Sequence, residues 1–157
     1  MNTHATKTDE ESLTLQSKLS EIARVPPWIE KLTARHAIPG RIQFAMDLCL
    51  EEVLSNIIRH GYAAEPNHVL VIRHRNDRDG RFTLIVEDQS PAFNPLLVKN
   101  PAAPHSLEEI SGGGYGIPLL KQFADSIDYE VLSNGNRMTI AFVDRDSARP
   151  APRTTSR

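Results

Sequence analysis

Residues 42–62 read IQFAMDLCLEEVLSNIIRHGY, with Ile42, Ala45, Met46, Cys49, Val53 and Ile57 recurring at steps of three and four. That is the period of an amphipathic helix, and a stripe of this length has to be laid against a core. The same helix carries Glu52 and Asn56 four residues apart, so they stand one turn above each other and face one side.

A side-chain carbonyl oxygen is a hard ligand suited to magnesium, and a carboxylate can orient or deprotonate an attacking hydroxyl. Taken alone, such a pair is more often an ordinary solvated helix face. Two later patches change the weighing. One is an acidic residue closing a strand, DQSPAFNP at 88–95, and the other is a glycine cluster opening a helix, GGGYGIPLL at 112–120.

Around these patches the chain organises itself simply. Residues 1–12 and 145–157 lack apolar pattern and are expected to be flexible tails around a domain at 13–144. Leu13, Leu15 and Leu19 suggest a first strand at an edge of a sheet. Helical spacing follows over 20–37 in Ile22, Trp28, Ile29 and Leu32, where Pro26 and Pro27 require that the helix either begins there or is kinked. The central helix then runs to about His60, with Gly61 expected as its C-cap. Strands at 68–74 and 81–88 are joined by the turn residues NDRDG, and strands at 127–132 and 137–143 by a turn at Asn134-Gly135. Between the two hairpins, 95–115 is long enough to suggest a lid, and a short helix carrying Ile117, Leu120 and Phe123 follows it.

Helices beside hairpin-linked strands predict an α+β fold. The expectation is a two-layer sandwich whose mixed, mostly antiparallel sheet is covered on one face by three helices. A length of 157 residues suits one domain. The net charge of -2 argues against a direct nucleic-acid partner. The lone cysteine, Cys49, lies on the apolar stripe and points to a reducing, cytoplasmic setting, and no apolar run predicts a membrane span.

Asp88, at a strand end, can accept a hydrogen bond from an exocyclic amine such as that of adenine, or it can simply begin a turn. Backbone amides behind the glycine run can bind phosphate, but the run lacks the lysine of a P-loop and the preceding strand of a dinucleotide fingerprint.

Together, EEVLSNIIRHGY, DQSPAFNP, GGGYGIPLLKQFADSIDYE and NRMTI resemble the ATP-binding domain shared by gyrase, histidine kinases and mismatch-repair ATPases, known for the Bergerat-type fold. They are most similar to its small branch, the bacterial anti-sigma-factor serine kinases. The resemblance covers roughly residues 17–143. It implies ATP and Mg2+ as cofactors, with Glu52 as general base toward a substrate serine and Asn56 as the magnesium ligand. Asp88 would bind the adenine amine with Thr139 nearby on the sheet, Phe93 would line the pocket, and Gly113, Gly114 and Gly116 would wrap the phosphates. The implied partners are a STAS-domain anti-anti-sigma protein, a sigma factor held inactive, and a second copy in a homodimer. One departure stands out: Ser90 occupies a position where the family usually has glycine, and Ala92 a later small one. This leaves a second reading open, a regulatory binding module of the same fold that transfers no phosphate.

Overall fold

A computed structural model describes residues 10–77, 79–92, 94 and 116–147. Its elements in chain order are β1 (Glu10–Gln16), a 3-10 turn (Leu19–Arg24), α1 (Val25–His36), α2 (Gly40–Asn56), a π turn (Ile57–Gly61), β2 (Val69–Asp77), β3 (Arg81–Asp88), α3 (Gly116–Phe123), β4 (Ser126–Leu132) and β5 (Gly135–Val143). The strands form one five-stranded sheet in the order β1-β2-β3-β5-β4. Each neighbouring pair is antiparallel. The expected two-layer α+β sandwich is therefore present, with three helices over one face.

The alternation of apolar residues along the strands decides which face the helices cover. Leu15, Leu70, Ile72, Leu84, Ile140 and Phe142 point to one side and meet Ile29 and Leu32 of α1, Met46, Leu50 and Leu54 of α2, and Leu120 of α3. All of these are essentially inaccessible to solvent. Each contributes roughly 1.5–3 kcal/mol through burial, so this layer dominates the favourable side of folding.

The opposite sheet face carries an alternating row of charge across all five strands. Arg73 of β2 reaches Glu10 of β1 at 3.3 Å and Glu87 of β3 at 2.5 Å. Arg137 of β5 meets Glu87 at 2.7 Å and Glu130 of β4 at 3.4 Å. Such partly exposed pairs contribute little individually, but they leave this face well solvated where the other is sealed.

The two prolines begin α1 rather than kinking it, since they sit in its first turn where amide donors have no intrahelical acceptor. Three local expectations are corrected. The first strand already starts at Glu10, ahead of the boundary expected at residue 13, because charge pairs extend it beyond its apolar alternation: Glu11 accepts from Arg35 and His36 at 2.8 and 2.9 Å. Gly61 is not a C-cap. The main chain continues from α2 into a π turn closed by the Tyr62 amide on the Ile57 carbonyl at 2.9 Å, and Gly61 lies within it without a positive φ. The last hairpin turns on Ser133 and Asn134, and Gly135 already pairs with Leu132 as the first residue of β5. The lid expected over 95–115 lies outside the described residues, and among those described no helix is long and apolar enough to cross a membrane.

Candidate nucleotide site at the end of the central helix

The buried stripe of α2, with Ile42, Ala45, Met46, Cys49, Val53 and Leu54 in the core, fixes the rotation of that helix. Glu52 and Asn56 consequently sit half-buried at its C-terminal end. Burial pushes the Glu52 pKa up, and repulsion from Glu51 adds to this while Arg59 partly opposes it. A carboxylate whose pKa is raised is a better proton acceptor for a hydroxyl than one at its ordinary value.

Asn56 has no hydrogen bond to its carboxamide among the described residues, so its oxygen is available to a ligand. Those residues contain no cluster of three or more acidic, histidine or cysteine side chains able to hold a metal. A magnesium ion here would be held by Asn56 together with phosphate or water oxygens, as magnesium usually is beside phosphates.

The π turn is what joins this helix end to the acidic strand end. It delivers Gly61 directly beneath Ser90: a Cβ built on Gly61 would lie 2.7 Å from Ser90 Oγ and 2.9 Å from Ser90 Cβ. The next residue, Tyr62, accepts a hydrogen bond from the Gln89 amide at 2.7 Å and donates to the Val69 carbonyl at 3.3 Å. Two of the three sequence patches are thereby brought together, Gly61 against the Ser90 side chain and the Tyr62 hydroxyl on the Gln89 amide.

Asp88 ends β3 and is only 7% exposed. Its Oδ1 accepts from the Ser90 amide at 2.8 Å, from Ser90 Oγ at 2.5 Å and from Asn136 Nδ2 at 3.1 Å. The amide bond from two residues on is an Asx-turn, which is how an aspartate reverses a chain leaving a strand. A Cβ at Gly135 would collide with the Asp88 carbonyl oxygen, so glycine is required there by the approach of that main chain.

The third patch is represented by Gly116, the first residue of α3. Phe123, at the other end of α3, packs edge-on against Phe44 near the start of α2, with ring centroids 5.9 Å apart. The two helices are in contact, with Leu120 of α3 buried in the same core as the stripe of α2. Phe93, Gly113 and Gly114 lie outside the described residues.

Thr139 requires correction. Asp88 pairs in register with Asn136, and side chains alternate along β5, so Asn136 and Met138 share the helix-covered face with Asp88. Thr139 stands between Ile85 and Asp128 on the opposite face. The residue that meets Asp88 is Asn136, 3% exposed, which the sequence reading passed over. The signal that would have found it is register: counting back along the hairpin from Gly135 places residue 136, not 139, beside the strand end.

The chain is 29% identical over 115 residues to the serine/threonine-protein kinase BtrW of Bordetella bronchiseptica, covering 72% of this chain and 79% of that protein. It is 22% identical over 105 residues to the serine-protein kinase RsbW of Bacillus licheniformis, covering 64% and 65% of the two chains. The crystal structure of the RsbU and RsbW domains of Rv1364c from Mycobacterium tuberculosis shares its fold with a TM-score of 0.58 at 15% identity, covering 85% of this chain and 31% of that one. The chain thus spans about a third of that solved structure. Residues 15–142 match the histidine kinase-like ATPase domain model, which takes in both strand hairpins, all three helices and every patch of the site, and the chain belongs to that family.

Proposed function

We propose that the chain is an ATP-dependent serine protein kinase and anti-sigma factor. In this reading it phosphorylates a STAS-type anti-anti-sigma protein and holds a sigma factor inactive until partners exchange. The observation that carries the proposal is the meeting of α2 and β3: one end of the molecule presents a proton acceptor of raised pKa, a carboxamide without a described partner, and a buried carboxylate.

The roles divide by chemistry. Asp88 selects the base by accepting from its exocyclic amine, while Asn56 is the residue that would hold magnesium. The ion, when bound, neutralises phosphate charge. Glu52 takes the proton of the incoming serine hydroxyl as its oxygen bonds to the γ-phosphorus of ATP and the bond from that phosphorus to the β–γ bridging oxygen breaks, releasing ADP. Phosphoryl transfer asks a protein mainly for positioning and electrostatics, and one base, one metal ligand and a glycine-rich segment supply these. Phe93, Gly113, Gly114 and Gly116 complete the pocket in this reading. The similarity to named serine kinases supports the activity, and a homodimer and a cytoplasmic location accompany it.

The test is transfer of labelled γ-phosphate from magnesium-ATP to a STAS partner. The unmodified chain should label the partner on serine, and Glu52→Gln should abolish labelling with ATP affinity largely kept. Undiminished labelling by Glu52→Gln removes Glu52 as the base. ATP binding with no labelling by the unmodified chain would favour the non-catalytic regulatory module instead.

A further inference from the structure

The serine at position 90 stands where the family resemblance implies glycine, and its hydroxyl and main chain are bonded to the groups around it. Ser90 is 8% exposed and Asn136 3% exposed. Ser90 gives Asp88 Oδ1 two donors, its amide and its hydroxyl. Asn136 Nδ2 gives the same oxygen a third and also reaches the Ser90 carbonyl at 2.9 Å and its hydroxyl at 3.4 Å. From the edge strand β4, the Tyr129 hydroxyl donates to Asn136 Oδ1 at 2.6 Å. The Asp88 carboxylate and the Ser90 carbonyl are acceptors only, so they fix the NH2 end of the amide toward themselves and leave its oxygen to the Tyr129 hydroxyl.

Three of these donors, the Ser90 amide, the Ser90 hydroxyl and Asn136 Nδ2, converge on one carboxylate oxygen, and no described group donates to the other, Oδ2. From this we propose that Ser90, Asn136 and Tyr129 form a positioning relay that orients Asp88 for recognition of an amino-bearing purine, so that Ser90 strengthens rather than weakens discrimination for adenine over 6-oxo purines. The inference rests on the nucleotide reading above. A carboxylate held by three donors on one oxygen cannot rotate to satisfy a different ligand edge. Oδ2, an acceptor only, is matched to an exocyclic amine and mismatched to a carbonyl, which would leave two acceptors facing each other. Space for the serine side chain is left by Gly61, on which a Cβ would lie 2.7 Å from Ser90 Oγ. Tyr129, Asn136 and Ser90 are positioning residues: each acts on the base only through Asp88.

The experiment compares equilibrium binding of ATP and inosine triphosphate, which differ at the 6-amino group, in the presence of magnesium. The unmodified chain should prefer ATP. Ser90→Ala should weaken ATP binding by about tenfold, the worth of one hydrogen bond to a charged group, with the affinity for inosine triphosphate unchanged, so that the preference shrinks by the same factor. Tyr129→Phe, which keeps the ring and acts on the relay from its far end, should shrink the preference in the same direction by a smaller factor and guards against a folding defect in the first variant. Equal weakening of both nucleotides, or an unchanged preference in both variants, overturns the relay. Failure of the unmodified chain to bind either nucleotide is a different result: it overturns the nucleotide reading itself and the relay with it.

Discussion

The contact between Gly61 and Ser90 yields a stability prediction that needs no ligand. Gly61→Ala would place a methyl carbon 2.7 Å from Ser90 Oγ and 2.9 Å from Ser90 Cβ, where carbon contacts ordinarily sit at about 3.5–4.0 Å. The hydroxyl can rotate away only by giving up its 2.5 Å bond to Asp88, and the Cβ cannot rotate away at all. Overpacking of this kind costs about 1–3 kcal/mol. Against it stands the gain from replacing glycine inside a helical turn, up to about 1 kcal/mol, because φ at Gly61 is not positive. The single substitution should therefore be neutral to destabilising by about 2 kcal/mol.

In a Ser90→Gly background both offending atoms are gone, so the same Gly61→Ala change should become stabilising by up to about 1 kcal/mol. The double-mutant cycle should thus report a coupling of about 1–3 kcal/mol. Urea denaturation followed by circular dichroism measures it, since 2 kcal/mol moves the midpoint by about 1 M at a slope near 2 kcal/mol/M. If Gly61→Ala changes stability equally in the two backgrounds, the helix end and the strand end are not in the contact described, and the convergence of the site falls with it.

Other outcomes follow from the same structure. Because ionised Glu52 is disfavoured by burial, its folded pKa is raised, and its stabilising contribution is present at low pH and lost as pH rises through that value. Glu52→Gln should therefore be somewhat more stable than the unmodified chain at neutral and alkaline pH while losing phosphate transfer, with thermal melts compared at the two ends of the range. Glu87 behaves oppositely: burial pushes its pKa up, but hydrogen bonds and charge from Arg73 and Arg137 outweigh this and hold it below the ordinary value of 4.5. Its contribution is present above that value and lost as pH falls below it, so Glu87→Gln should reduce the acid sensitivity of the urea midpoint. Burial pushes the Cys49 thiol up to about 12 and leaves it 1% exposed, so a thiol reagent should label it only at the rate of unfolding. Labelling of the native protein at the rate of a free thiol would contradict that burial.

Periodicity made much of this fold legible in advance, because it is local and repeats. The stripe from Ile42 to Ile57 committed α2 to the core, and the alternation of Phe82, Leu84 and Val86 committed β3 to a half-buried sheet. The spacing of Glu52 and Asn56 placed them on one side of a helix before any tertiary contact was known. Strand pairing is not local in that sense. Thr139 and Asn136 differ by an odd number of residues, so they occupy opposite faces of the sheet, and only the Asp88–Asn136 register tells which one meets the site. Gly61 carries the same lesson, for its need is set by a side chain 29 positions away that approaches from another element. Single-residue chemistry and short-range period were thus written in the chain itself, whereas face, register and close approach came into being when the sheet and the central helix met. The physical reason is that those properties belong to pairs of elements, and no residue taken with its sequence neighbours contains them.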